Sequence, residues 1–236
     1  MSKAVIFFAP GLEECEGLLC VDLLRRSGVE VTIAAVGGEK IVKSARSISV
    51  VADALAEELD YSAFDAAILP GGIPGVDNLK ADATVRKVCT VPLIVKLSPQ
   101  AESIPEMCKA VEAAGADAIS LCNTFQACAI DLEKRRPVFN NIFAGLSGPA
   151  VRPIALRMVW QAVGAVNIPV VGLGGIATGR DALEFIMAGA TAVQVGAANF
   201  ANPRAMETIA DEMAAWMDKN GVKTLDEIRG CARHAE

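Results

Sequence analysis

Aromatic residues make up only 5% of this 236-residue chain, with one tyrosine and two tryptophans. That scarcity disfavours an aromatic-lined binding face. The only histidine, His234, stands at the C-terminal end and reads as a solvated residue. No run of Lys or Arg occurs and the net charge is −6, which argues against a nucleic-acid partner. Long apolar runs are absent too. The stretch Ala4–Ala9 is too short for a signal peptide or a membrane span, and Pro10-Gly11 stops it. The seven cysteines form no CxxC pair, so they read as reduced thiols of a cytoplasmic protein with no metal centre. Cys122 and Cys128 read as small packing residues. Neither an internal repeat nor a flexible linker is visible.

Small and branched apolar residues are plentiful. Hydrophobic residues reach 53%, enough for a large core of helices packed on a parallel sheet. Short apolar runs alternate with helical patterns, which predicts βαβ units. Strands are predicted near 3–9, 29–36, 64–70, 91–97, 117–122, 168–173 and 192–196. Helices are predicted near 13–27, 75–88, 101–114, 150–166, 179–188, 203–219 and 225–233. Gly28, Gly115 and Gly189 stand where helices should end. Residues 37–59 break the rhythm as a hairpin plus a short strand around Ile48–Val51, and the charged, proline-bearing segment 131–143 reads as a protruding loop or hairpin. The chain reads as a single fused α/β domain, 1–236.

The sharpest local signal lies in residues 169–200. Pro169-Val170-Val171-Gly172-Leu173-Gly174-Gly175 leads to a helix near Arg180, and Ala192-Val193-Gln194-Val195-Gly196-Ala197-Ala198 to one near Pro203. Such strand–glycine–helix turns offer free backbone N–H groups at a positive helix end, which suits a phosphate dianion. Two in succession match the phosphate site that TIM barrels build after strands 7 and 8. A small phosphorylated ligand is the expected partner, with inorganic phosphate or sulfate as a substitute.

Residues 3–89 resemble the N-terminal part of the ThiJ/PfpI superfamily, which has a flavodoxin-like fold. The resemblance is carried by Ala9-Pro10-Gly11-Leu12-Glu13-Glu14-Cys15-Glu16, by Asp22-Leu23-Leu24-Arg25-Arg26-Ser27-Gly28 and by Leu69-Pro70-Gly71-Gly72. In that family the glutamate matching Glu16 contacts a nucleophilic Cys on the next strand-to-helix turn. Here the text continues Val91-Pro92-Leu93-Ile94-Val95-Lys96-Leu97-Ser98-Pro99 without that Cys, so thiol chemistry of the ThiJ kind is not expected.

Residues 91–230 resemble the C-terminal half of class 1 dihydroorotate dehydrogenases of the B type. Five motifs carry this in order: Val95-Lys96-Leu97-Ser98-Pro99, Cys122-Asn123-Thr124, Gly145-Leu146-Ser147-Gly148-Pro149-Ala150, Gly172-Leu173-Gly174-Gly175-Ile176, and Met187-Ala188-Gly189-Ala190 running on to Val195-Gly196-Ala197-Ala198-Asn199-Phe200. The resemblance implies half of a TIM barrel that holds FMN. Lys96 would contact the flavin ring, and Asn123 and Thr124 the substrate side. The backbones of Ser147-Gly148, Gly174-Gly175 and Gly196-Ala197 would contact the ribityl phosphate. Gly196-Ala197 departs from the more usual Gly-Thr and lacks one hydroxyl. The family's catalytic Cys belongs to a loop outside the matched half.

Joined, the two resemblances read as a chimera, a flavodoxin-like fragment (1–90) and a half-barrel (91–236) completing a hybrid (β/α)8-like barrel. Strand order 3-2-1-4 followed by 5-6-7-8 gives eight strands, the number for a filled barrel. The expectation is an engineered, non-catalytic scaffold, monomeric or homodimeric, that retains a phosphate or FMN site. The alternative is a flavin-dependent oxidoreductase of the dihydroorotate dehydrogenase type acting on a small carboxylate. Hydrogen bonds to a charged group contribute roughly 1.5–3 kcal/mol each, whereas association costs about 4–15 kcal/mol. Phosphate alone should thus bind weakly, and FMN weakly to moderately.

Overall fold

Alternate residues of β1 (Lys3–Phe8) face two different apolar clusters. Ala4, Ile6 and Phe8 pack with Leu12, Val21 and Ile33, while Val5 and Phe7 pack with Ala34, Val36 and Leu79. A strand buried on both faces belongs in the middle of a parallel sheet. The computed structural model describes residues 2–87 and 92–234. It divides into two compact units, Met1–Pro92 and Leu93–Glu236. The join at 89–91 and Cys89 lie outside the described residues. Where the sequence reads as one fused domain, each unit gathers apolar clusters of its own.

In the first unit, α1 (Glu14–Arg26) links β1 to β2 (Glu30–Ala35). Its N-terminus is capped by Glu13, whose carboxylate accepts from the Glu16 N–H at 2.8 Å. The chain then forms a separate antiparallel hairpin of β3 (Ile41–Lys43) and β4 (Ser49–Val51), followed by β5 (Ala54–Leu55) and β6 (Ala66–Ile68). The parallel sheet has the order β5-β2-β1-β6. The 3-2-1-4 order is therefore present, but its edge is β5 and not the strand around Ile48–Val51, which is committed to β3. Of the helix predicted over 75–88, the described part is two pieces, α2 (Gly75–Ala81) and α3 (Ala83–Lys87). Asp82 makes the break, because its carboxylate caps the Thr84 and Val85 N–H groups.

The second unit runs β7 (Ile94–Leu97), α4 (Ile104–Ala113) and β8 (Ala118–Leu121), then a long excursion. In it, β9 (Phe125–Cys128) pairs antiparallel with β12 (Phe143–Leu146), and β10 (Ile130–Asp131) with β11 (Arg136–Pro137). Of the protruding loop or hairpin that the charge and proline of 131–143 allow, the chain forms the hairpin. The βα rhythm resumes with α5 (Arg152–Val163), β13 (Val170–Leu173), α6 (Gly179–Met187), β14 (Ala192–Gln194), α7 (Ala198–Ala201) and α8 (Ala205–Asn220). The helix expected over 225–233 is instead two 3-10 turns, Leu225–Glu227 and Cys231–His234, separated by Gly230 at a positive φ of 71°.

The sheet of this unit is parallel, in the order β14-β13-β8-β7. One face packs Leu97, Ile119, Leu121 and Val170 against Ala155, Met158, Val159 and Phe185 of the helices. Gly172 lets α6 close on β13, since a Cβ there would lie 2.5 Å from the Phe185 ring. The described strands thus make two four-stranded parallel sheets and not the single eight-stranded one expected. No helix among the described residues is long and apolar enough to cross a membrane.

Candidate functional site

Parallel strands point their carboxyl ends the same way, so the loops after β7, β8, β13 and β14 share one edge of the second unit. Every residue that the resemblance assigns to FMN or substrate falls in or beside these loops or after β12. Lys96 lies near the end of β7, exposed, and its charge is felt at Cys122 just beyond β8. Asn123 and Thr124 follow directly. The Asn123 carbonyl Oδ1 accepts from the Thr124 N–H at 2.8 Å, and the Asn123 N–H donates to Leu97 O at 3.1 Å. Asn123 is therefore a turn residue, and its side chain is exposed. Thr124 packs on the hairpin, because a Cβ on Gly145 would lie 2.6 Å from its Oγ1. Between them opens a cleft of about 300 Å³ bordered by Ser98, Gln100, Asn123, Thr124, Phe125 and Phe143.

Three glycine turns follow β12, β13 and β14. β13 and β14 pair through Leu173↔Gln194, so Gly174-Gly175 and Gly196-Ala197 leave the sheet side by side. The turn at Ser147-Gly148 meets the first of these. A Cβ built on Gly175 would lie 2.7 Å from both Gly148 O and Arg152 N, and Gly175 has φ +74°. Only glycine satisfies that approach and that conformation together. Among the described residues, the N–H groups of Gly175, Ile176, Gly196 and Ala197 donate to no protein acceptor. Arg152 touches Gly175 through its backbone, but its guanidinium pairs with Asp181 and, at 3.5 Å, Glu184. The cradle is thus backbone rather than side-chain charge.

One expectation needs correction. The sequence puts free amides at the start of the helix near Arg180, yet α6 consumes its own. Asp181 accepts from the Ala177 and Thr178 N–H groups at 3.0 and 2.9 Å, Thr178 Oγ1 accepts from the Asp181 N–H, and Glu212 accepts from the Gly179 N–H at 2.6 Å. Any anion here rests on the loop amides and not on the helix end. The Thr178-x-x-Asp181 spacing is a capping signature legible in sequence. Glu212, 33 residues away, is not.

Buried groups around the site are structural. Cys122 is pushed up to about 11 by burial, against the pull of the Lys96 charge, so its thiol stays protonated at neutral pH. Ser120, 1% exposed, donates to Gln194 Oε1 at 2.7 Å. Trp160 is 40% exposed beneath the Arg233 guanidinium. In the first unit, Glu16 accepts from the Gly71 N–H at 2.7 Å, tying α1 to the turn after β6.

A family profile described as "Dihydroorotate dehydrogenase" matches residues 27–217. A protein of Petrotoga mobilis named dihydroorotate dehydrogenase B (NAD(+)), catalytic subunit, is 58% identical over 146 residues, covering 62% of this chain and 49% of that one. One of the same name from Alkaliphilus metalliredigens is 41% identical over 214 residues, covering 89% and 70%. The solved structure of DHODH in complex with ferulenol from Eimeria tenella superposes with a TM-score of 0.57 at 18% identity, covering 88% of this chain and 63% of that one. That likeness places the fold in the α/β, TIM-barrel class. The chain spans about half the length of the first curated relatives it matches. The expectation of an engineered, non-catalytic scaffold is overturned, since these relatives are named as catalytic subunits.

Proposed function

The chain belongs to the dihydroorotate dehydrogenase family, and on that premise we propose that its second unit binds FMN and serves a flavin-dependent oxidation of a small carboxylate, dihydroorotate being the first to test. The observation that carries this is the pair of glycine turns leaving β13 and β14 side by side, where the N–H groups of Gly175, Ile176, Gly196 and Ala197 meet no protein acceptor among the described residues, on the sheet edge that also carries Asn123 and Thr124. The residues fit the cofactor. The Gly175 turn is closed by backbone on its inner side, while a Cβ on Gly196 would meet no heavy atom within 4 Å, leaving open room for a phosphate.

When bound, FMN supplies the acceptor for the two electrons removed from the substrate. The protein's part is binding and orientation. Amides of the two turns, with Ser147-Gly148 beside them, would hold the phosphate. Lys96 would place a positive charge beside the ring, where it favours the reduced, anionic form. Asn123 Nδ2 and Thr124 Oγ1 would orient the substrate carboxylate. Cys122, held protonated, packs and does not serve as base. The ligand is a small phosphorylated molecule, with neither nucleic acid nor membrane as partner, and the protein works as a monomer or homodimer.

A flavodoxin-like origin for Met1–Pro92 is part of this reading. It is supported by the all-parallel order β5-β2-β1-β6. The test of function is anaerobic. Protein reconstituted with FMN should bleach in the flavin band on adding dihydroorotate. Bound flavin that dithionite bleaches but dihydroorotate does not would reject the oxidoreductase reading, and absence of FMN binding would reject the site.

A further inference from the structure

Asn199 is buried at 7% exposure, and its Oδ1 meets no donor among the described residues. A buried acceptor left unpaired is destabilising, and a leucine would fill the place without that cost. Packing alone does not account for an asparagine there. Its other terminal atom does, because Nδ2 donates to the Val195 carbonyl at 2.8 Å. The Asn199 N–H meanwhile donates to the Gly196 carbonyl at 3.0 Å.

We propose that Asn199 is a positioning residue that locks the peptides on both sides of Gly196, so that the Gly196 and Ala197 N–H groups face a ligand phosphate. The inference rests on the FMN reading above. Both peptides are trans. In a planar trans peptide the C=O and N–H point in opposite directions. With the Val195 and Gly196 carbonyls both drawn toward buried Asn199, the N–H groups of Gly196 and Ala197 turn away from it. The space above Gly196 is open, and neither N–H has a protein acceptor among the described residues. The energetic cost of the orphaned Oδ1 is thus tied to a turn whose amides are aimed before any anion arrives.

The test compares FMN with riboflavin, which lacks the phosphate. Wild type should bind FMN more tightly than riboflavin. Asn199→Leu should lose about tenfold of that preference, with riboflavin affinity unchanged and the melting temperature equal or higher. A variant that keeps the wild-type preference overturns the inference and leaves the FMN reading standing. A wild type with no preference overturns both. If Asn199→Leu fails to fold, wild type carrying isotope-labelled glycine decides. The Gly196 amide resonance, identified by its loss in Gly196→Ala, should move on adding inorganic phosphate. If it stays put, the inference is overturned.

Discussion

Ser120 on β8 and Gln194 on β14 are bonded over the intervening strand β13, Oγ donating to Oε1 at 2.7 Å. Ser120 alternates with Ile119 and Leu121, which face the helices, so the bond lies on the opposite face of the sheet. It joins the two strands whose trailing loops hold Asn123 and Gly196.

The two partners should respond unequally to truncation. Ser120 is buried and Gln194 exposed. Gln194→Ala leaves a buried hydroxyl unpaired and should cost about 1–3 kcal/mol. Ser120→Ala frees a side chain that water can satisfy and should cost about 1 kcal/mol or less. The double variant should resemble Ser120→Ala, since the orphan is gone. Urea unfolding measures all three, and equal losses in the single variants would contradict the assignment.

Two glycines of the same site should behave oppositely. Gly175→Ala combines a positive φ with a Cβ 2.7 Å from Gly148 O and Arg152 N. It should lose about 1–3 kcal/mol of stability and its FMN binding. Gly196→Ala meets open space, so its melting temperature should stay within a degree or two of wild type, or rise slightly as the unfolded chain loses freedom. Thermal melts with and without FMN check both. A Gly175→Ala protein that melts like wild type would mean the two turns do not touch.

Much of this was legible in residue order because buried parallel strands announce themselves. Runs such as Val170–Leu173, bounded by Pro169 and Gly174, admit one reading in a βα rhythm, whereas the charge and proline of 131–143 marked a protrusion without deciding between loop and hairpin. The strand β5 was not, since Ala54-Leu55 is defined by a ladder to Ala34 and Ala35 and carries no periodicity of its own. Within the site, glycine spacing marked the loops, but not which amides stay free. That depends on Asp181, Glu212 and Asn199, whose side chains compete for the same backbone. A partner 74 residues away, as Gln194 is from Ser120, leaves no local signal.

Asp181 should be the most sensitive position of α6. It is 8% exposed, caps two N–H groups and pairs with Arg152. Asp181→Ala should cost about 2–4 kcal/mol, the loss of a cap and of a partly buried pair. Asp181→Asn, which keeps an acceptor for the cap, should cost less. Arg152→Met should cost less again, because the carboxylate retains its backbone donors. Urea midpoints in that order would support the account, and a larger loss for Arg152→Met would show that the pair, not the cap, dominates.

The single tyrosine makes the first unit's alkaline limit visible by absorbance. Tyr61 is pushed up to about 12, by burial first and then by the charges of Asp82 and Glu57, while its hydroxyl donates to Ala56 O. An acid whose folded pKa lies above its unfolded value near 10 favours the fold while both states are neutral. Below about pH 10 that contribution is therefore fully present. It is lost as pH rises toward 12, because the unfolded chain ionises first. Tyrosinate absorbance in the native protein should rise near pH 12, and urea should unfold the first unit at lower concentration at pH 11 than at pH 9. Tyr61→Phe removes the titration and should flatten that dependence. A native titration centred at 10, with the circular dichroism of the fold intact, would show that the ring is as open to water as a free tyrosine.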